Sequence, residues 1–81
     1  MEIGYAFLNV LPGKKKEVLE KVRRVRGVKE ANVVLGIFDI IVRLEADTIE
    51  ELEKIFFNEL EKIEGIINAR LHIVACERMM K

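Results

Sequence analysis

Few side chains in this protein are equipped for chemistry, and their spacing limits what each can do. His72 is the only histidine and Cys76 the only cysteine. With no second histidine and no cysteine at ligand spacing, His72 is not expected to form a metal centre. As a proton shuttle it lacks a partner that the sequence shows. One cysteine rules out a disulfide framework or a cysteine-based zinc cluster, which leaves Cys76 as a buried or incidental thiol. Arg43 and Arg70 are expected to pair with Glu45 or across an interface rather than to hold an anion. No cofactor is implied. Asp39 is harder to explain. It lies in "VVLGIFDIIVRL", residues 33–44, directly after Gly36, Ile37 and Phe38. Turn tips favour Asn, Gly or Ser, not an isoleucine and a phenylalanine ahead of a carboxylate. The plain reading is an aspartate that accepts backbone N–H bonds to close its own loop.

The totals bound the alternatives. Eighty-one residues are read as one domain, residues 1–81. A chain this short buries only roughly 60% of its unfolded surface, so its core is marginal and a partner subunit would help. Half the residues are apolar and a third are charged, a globular composition. The formal net charge is zero, so nothing asks for direct contact with nucleic acid or an anionic membrane. No apolar run approaches the ~20 residues of a membrane span. The N-terminus lacks a basic region followed by an apolar block, so no secretory signal is expected. A reducing cytoplasm is the natural setting. Absence of Ser and Gln, with abundant Ile, Val, Glu and Lys, leans toward a thermophilic source.

An internal repeat organises the chain. Shifted by 38 positions, "RGVKEANVVL" lands on "EGIINARLHI", so that Gly27 meets Gly65, Ala31 meets Ala69 and Val33 meets Leu71. The same shift pairs Val18 with Phe56, Leu19 with Phe57, Val22 with Leu60 and Val25 with Ile63. This is the pattern of two βαβ units of one design. Strand 1 is expected over residues 3–10, ended by "LPG". Helix 1 follows over 15–26 with Val18, Leu19, Val22 and Val25 as its apolar stripe, stopped by Gly27. Strand 2 is expected over 28–35 and strand 3 over 39–46. "DTIEEL" carries D-x-x-E and T-x-x-E, so Asp47 or Thr48 caps a second helix that runs to about residue 64. That helix buries Leu52, Phe56, Leu60 and Ile63, and strand 4 covers 66–76. The order βαββαβ predicts a ferredoxin-like α+β sandwich, an antiparallel four-stranded sheet with two helices on one face and strands 1 and 3 in its centre. Helix 1 is basic and helix 2 acidic, read either as two solvated faces or as charge matching between subunits.

Strand alternation sorts the sheet residues. Ala6, Leu8, Ala31, Val33, Leu35, Ile40, Val42, Leu44, Ala69, Leu71 and Ile73 are expected to face the helices. The opposite face then carries Tyr5, Phe7, Asn9, Asn32, Val34, Ile41, Arg43, Arg70, His72 and Val74, too apolar a set for a monomer to leave uncovered. A second copy packed sheet to sheet across a two-fold axis is the simplest cover. It makes Tyr5, Phe7, Asn9, Ile41, Arg43, Arg70 and His72 the predicted dimer interface. Tyr5 and Phe7 fit interface packing better than an RNA-stacking platform. If Leu35 pairs with Ile40, then Gly36 to Asp39 form the hairpin connection. A tight turn would want positive φ at Ile37, which is costly, so either the loop is wider or Gly36 takes that conformation. The apolar tip should be covered by another subunit, a ligand or both.

The stretch "GIFDIIVRLEADTIEELEKIFFNELEKIEGI" resembles the effector-binding domain of the Lrp/AsnC family of feast/famine regulators. The matching features are a G-x-[aromatic]-D hairpin at Gly36, Phe38 and Asp39, an apolar strand, an acidic-capped helix and Gly65-Ile66 before the last strand. "LPGKKKEVLEKVRRVRGV" is similar to the family's first helix. The resemblance implies a dimeric α+β barrel, higher assembly of dimers into rings, and a small effector, commonly an amino acid, bound between dimers near the hairpin. Gly36, Ile37, Phe38 and Asp39 would then form the ligand site. The loop backbone would hold the ligand's carboxylate, and Asp39 would sit near its ammonium or brace the loop. The family's regulators carry an N-terminal helix-turn-helix. This chain opens at strand 1 and is expected to be a stand-alone form that co-assembles with full-length regulators. Strand 4 departs from the family's small hydroxyl residues by carrying Arg70 and His72. Three function classes follow: a non-enzymatic amino-acid-sensing module, an enzyme of the dimeric-barrel monooxygenase or acylphosphatase kind, or a ligand-free assembly subunit. An acylphosphatase would need an arginine in the loop after strand 1, where "LPGKKKE" offers only lysines.

Overall fold

A computed structural model of the chain describes residues 1–76 and 80. Its elements are β1 (Glu2–Val10), α1 (Lys15–Arg23), β2 (Val28–Val33), β3 (Ile40–Ala46), α2 (Ile49–Ile55), which continues as a π-helical turn (Phe56–Leu60), and β4 (Ile66–Ile73). The four strands form one antiparallel sheet in the order β2-β3-β1-β4. This is the predicted ferredoxin-like α+β arrangement, with β1 and β3 central. No helix of the described residues is long and apolar enough to cross a membrane.

One face of the sheet and the inner faces of the helices share the core. Ala6, Leu8, Ile40, Val42 and Leu44 from the sheet meet Val18, Val22, Leu52, Phe56 and Leu60 from the helices, all essentially without solvent contact. The repeat is visible in this packing. Val18 and Phe56 are both buried, as are Val22 and Leu60, while Val25 and Ile63 sit at the core margin. Gly27 and Gly65 also play one role in the two halves. Both have φ near +100°, at 94° and 105°, and both turn the chain out of a helical segment into a strand. A Cβ on Gly27 would stand 2.6 Å from Ile55 Cδ1 of the other half, and one on Gly65 would stand 2.9 Å from Val18 Cγ2. Each glycine therefore lets one half's chain reversal press against the other half's helix.

Several expected boundaries move. Helix α1 stops at Arg23 rather than at residue 26, because Arg24 and Val25 donate to the carbonyls three residues back, at Lys21 and Val22. Thr48, not Asp47, caps α2, its hydroxyl accepting the Glu51 N–H at 3.1 Å. The second helix leaves α geometry at Phe56. A wide turn closed by Glu61 N–H to Phe56 C=O (2.9 Å) leaves Phe57 half exposed. Strand β4 ends at Ile73, short of residue 76, although Val74 N–H still reaches Ile3 C=O at 2.9 Å. Cys76 is exposed, not buried.

The largest correction concerns β2. Val33, not Leu35, is the residue paired with Ile40, so β2 ends two residues early. Val33 is 43% exposed and Leu35 is 99% exposed, although alternation placed both against the helices. The reason is positional: β2 is an edge strand, and its hairpin end carries those side chains past the core cluster.

Candidate functional site

The hairpin between β2 and β3 is the wider loop of the two alternatives. Val34 N–H donates to Asp39 C=O at 2.9 Å, enclosing Leu35 to Phe38. No non-glycine residue takes positive φ among those described, and Gly36 does not take it either. The loop needs no strained residue because it is not a tight turn.

Three hydrogen bonds tie this loop to β1. Asp39 N–H donates to Leu8 C=O at 2.8 Å. Asn9 Nδ2 donates to Ile37 C=O at 2.8 Å, while Asn9 Oδ1 accepts from Asn68 Nδ2 of β4 at 3.2 Å. Val10 N–H, beyond the last β1–β3 ladder pair, donates to Asp39 Oδ2 at 2.7 Å. The carboxylate thus replaces the carbonyl that the departing chain no longer offers. Lys15, at the start of α1, places its ammonium 3.6 Å from Asp39 Oδ1. The Val10 N–H bond holds the Asp39 carboxyl below the usual carboxylate range. Partial desolvation opposes this, and the nearby Lys15 charge adds to it. Asp39 therefore braces the loop, but against a neighbouring strand and helix rather than by bonding within its own loop. Lys15 and Val10 were not singled out from the sequence. No local signal marks Lys15 within the run Lys14, Lys15, Lys16.

The loop's outer side is unfinished. The N–H groups of Gly36, Ile37 and Phe38 have no acceptor within the chain among the described residues. Ile37 is 88% exposed beside the fully exposed Leu35. Concavities of the described residues lie elsewhere: one of about 570 Å³ is lined by Arg26, Glu51, Lys54, Ile55, Asn58 and Glu59 on the helix layer, and others lie at the strand edge and helix rims.

The hairpin opens onto the helix-free sheet face. Cross-strand partners share a face, and the register places Tyr5 opposite Arg43 and His72, and Phe7 opposite Ile41 and Arg70. Asn9 follows on the same side. All seven residues predicted for the dimer interface lie on this face. An aromatic row crosses the sheet: Phe38 lies 5.3 Å from Phe7, and Phe7 meets His72 edge-to-face at 5.1 Å. Arg43 is bonded to Glu45, one of the two pairings expected for it. No group of three or more His, Cys, Asp or Glu side chains stands together as a metal site among the described residues.

A family model described as the Lrp/AsnC ligand-binding domain matches residues 5–79. Among curated proteins, the HTH-type transcriptional regulator PF0250 of Pyrococcus furiosus is 37% identical over 51 residues, which cover 63% of this chain and 34% of the relative. The chain spans between a third and a half of the length of such relatives. Among solved structures, protein PHS023 from Pyrococcus horikoshii is 31% identical with a TM-score of 0.86, over 99% of this chain and 96% of that one. The regulator NMB0573 of Neisseria meningitidis, solved as a complex with L-Met, shares the fold at 14% identity, with a TM-score of 0.81 over 94% of this chain and 51% of that one.

Proposed function

The chain belongs to the Lrp/AsnC ligand-binding domain family, and from that premise we propose that it is the amino-acid-binding and oligomerisation module of a transcription regulator. Its family is one of regulatory ligand-binding domains rather than of enzymes. In this reading two copies pack sheet to sheet, covering Tyr5, Phe7, Asn9, Ile41, Arg43, Arg70 and His72. Dimers assemble further into a ring, and full-length regulators join the same assembly. The effector sits at the hairpin. The free N–H groups of Gly36, Ile37 and Phe38 receive its carboxylate, and Leu35 and Ile37 lend apolar surface.

The observation that carries this reading is the hairpin itself. It is held in place by Asp39 and Asn9, offers three unpartnered amides beside two exposed apolar side chains, and has no wall of its own. A pocket for a small molecule buries most of its ligand, so the missing wall must come from another copy. That requirement links effector binding to assembly. Asp39 contributes as a brace, its carboxylate being engaged by Val10 and Lys15. The L-Met complex of the Neisseria relative supports an amino acid as the ligand class.

Thermal melting against each of the twenty amino acids tests the proposal. A ligand at a hundredfold excess over its Kd stabilises by about 2.7 kcal/mol, a clear upward shift for a domain of this size. Sedimentation of the ligand-free protein tests the sheet-face contact. A folded monomer at high concentration, or twenty flat melting curves, would defeat the corresponding part.

A further inference from the structure

The two helices present one template with inverted charge. At the 38-residue spacing of the repeat, Lys15 corresponds to Glu53, Lys21 to Glu59, Arg23 to Glu61 and Arg26 to Glu64. The repeat extends to burial, since Val18 and Phe56, and Val22 and Leu60, are all buried, although the second helix is π-helical over Phe56–Leu60. Between the inverted charges the template carries an apolar residue at the rim of each helix, Leu19 at the core margin and Phe57 at 50% exposure. Residues 14–26 hold seven cationic side chains against two carboxylates, and residues 47–64 hold seven carboxylates against two lysines. Among the described residues no carboxylate of residues 47–64 is in an ion pair within the chain, whereas Lys14 and Lys21 reach Glu17, and Lys15 reaches Asp39.

We propose that the α2 face around Phe57 is a docking surface for the α1 face of a second copy of this chain. The contact is made through the helix layer, on the side of the sheet opposite the helix-free face. A two-fold axis running along the helices lays α1 of each copy over α2 of the other, so both contacts form at once and the pair closes. Because β1 and β3 are antiparallel, α1 and α2 run in opposite senses, so the start of one copy's α1 lies over the end of the other's second helix. The basic face as a whole then meets the acidic face, and Phe57 is covered by an aliphatic and cationic surface. Because the chain's formal net charge is zero, no overall repulsion opposes the approach. Neither an effector nor the sheet-to-sheet contact is needed for it.

Pairs between exposed charges are individually weak and strongly screened, so this contact differs from an apolar one in its salt response. Raising salt from about 20 mM to about 500 mM shrinks the screening length from roughly 20 Å to about 4 Å. The test is sedimentation velocity of the full chain at both salts, on wild type and on two charge-reversed variants, Lys21→Glu with Arg26→Glu and Glu59→Lys with Glu64→Lys. All four positions are exposed. The expected wild-type particle at low salt has at least about twice its high-salt mass, with association at least about tenfold weaker at high salt. Each variant alone cuts one helix face from five net charges to one and loses most of the salt-sensitive step. An equimolar mixture of the two restores opposite charges at the four substituted positions and recovers part of that step, which also shows that both variants fold. A wild-type mass independent of salt, either variant assembling alone like wild type, or a mixture that recovers none of the step would overturn the inference. The species remaining at high salt, dimer or monomer, reports separately on the sheet face.

Discussion

Gly65 and Gly36 are both glycines at chain reversals, and the structure assigns them opposite fates on substitution by alanine. Gly65 has φ of +105°, and an added Cβ would stand 2.9 Å from Cγ2 of Val18, which is itself fully buried. Holding an L-residue at such a φ costs roughly 1–2 kcal/mol. Forcing a fully packed neighbour aside adds about 1–3 kcal/mol. Reduced freedom of the unfolded chain returns about 0.4–1 kcal/mol. Gly65→Ala should therefore lose about 1–5 kcal/mol, a large share of the roughly 4–12 kcal/mol expected for 81 residues. Gly36 is outside the positive-φ region, and a Cβ added there would meet nothing within 4 Å. Gly36→Ala should be neutral or gain up to about 1 kcal/mol. Urea unfolding at one fixed protein concentration reads both, because any association would make the midpoint depend on concentration. The expected midpoint shift for Gly65→Ala comes at unchanged slope. A loss below about 1 kcal/mol at Gly65, or an equal loss at Gly36, would refute the assignment. If Gly36→Ala keeps stability yet loses amino-acid-induced stabilisation, the glycine serves the approach of a ligand to the loop's amides, not the turn.

Three further outcomes are expected. Thr48→Ala should cost about 1 kcal/mol by urea unfolding, and Thr48→Ser should recover most of it, since the hydroxyl caps the Glu51 N–H. Because the folded-state carboxyl of Asp39 is held below its ordinary value, its contribution to stability is present above the unfolded-state value near 4 and is lost as pH falls through the lower folded-state value. Asp39→Asn should flatten that part of the acid limb of a stability-against-pH curve, and Asp39→Ala should speed hydrogen exchange at the Val10 amide. An unchanged Val10 exchange rate would remove the brace. Ile41→Glu, opposite Phe7 on the helix-free face, should yield a lighter species by sedimentation at high salt with the fold retained by circular dichroism. An unchanged mass there would remove Ile41 from the interface.

The element order, the sheet topology and the sorting of β1, β3 and β4 side chains into two faces were legible from the chain alone. Glu45, two residues along the same strand face, was legible as one of two alternative partners for Arg43. These follow from local rules: a strand alternates every residue, a helix repeats near 3.6, and a duplicated βαβ unit shows each signal twice. Asp39 stands out in the sequence as an anomaly, a carboxylate behind two large apolar residues, and that alone points to the hairpin.

What the carboxylate touches was decided only in three dimensions. Its partners come from β1, 29 residues away at Val10, and from the first turn of α1 at Lys15. Both depend on the β1–β3 register, which no local pattern states. Likewise alternation carried β2 on to Leu35, because it cannot see where an edge strand outruns the core. Nor does a spacing of four apolar residues reveal that the second helix opens into a π turn and turns Phe57 outward. Periodicity is a property of the backbone and is written along the chain. Register, edge and exposure depend on which distant segments meet, and only the packed fold sets those.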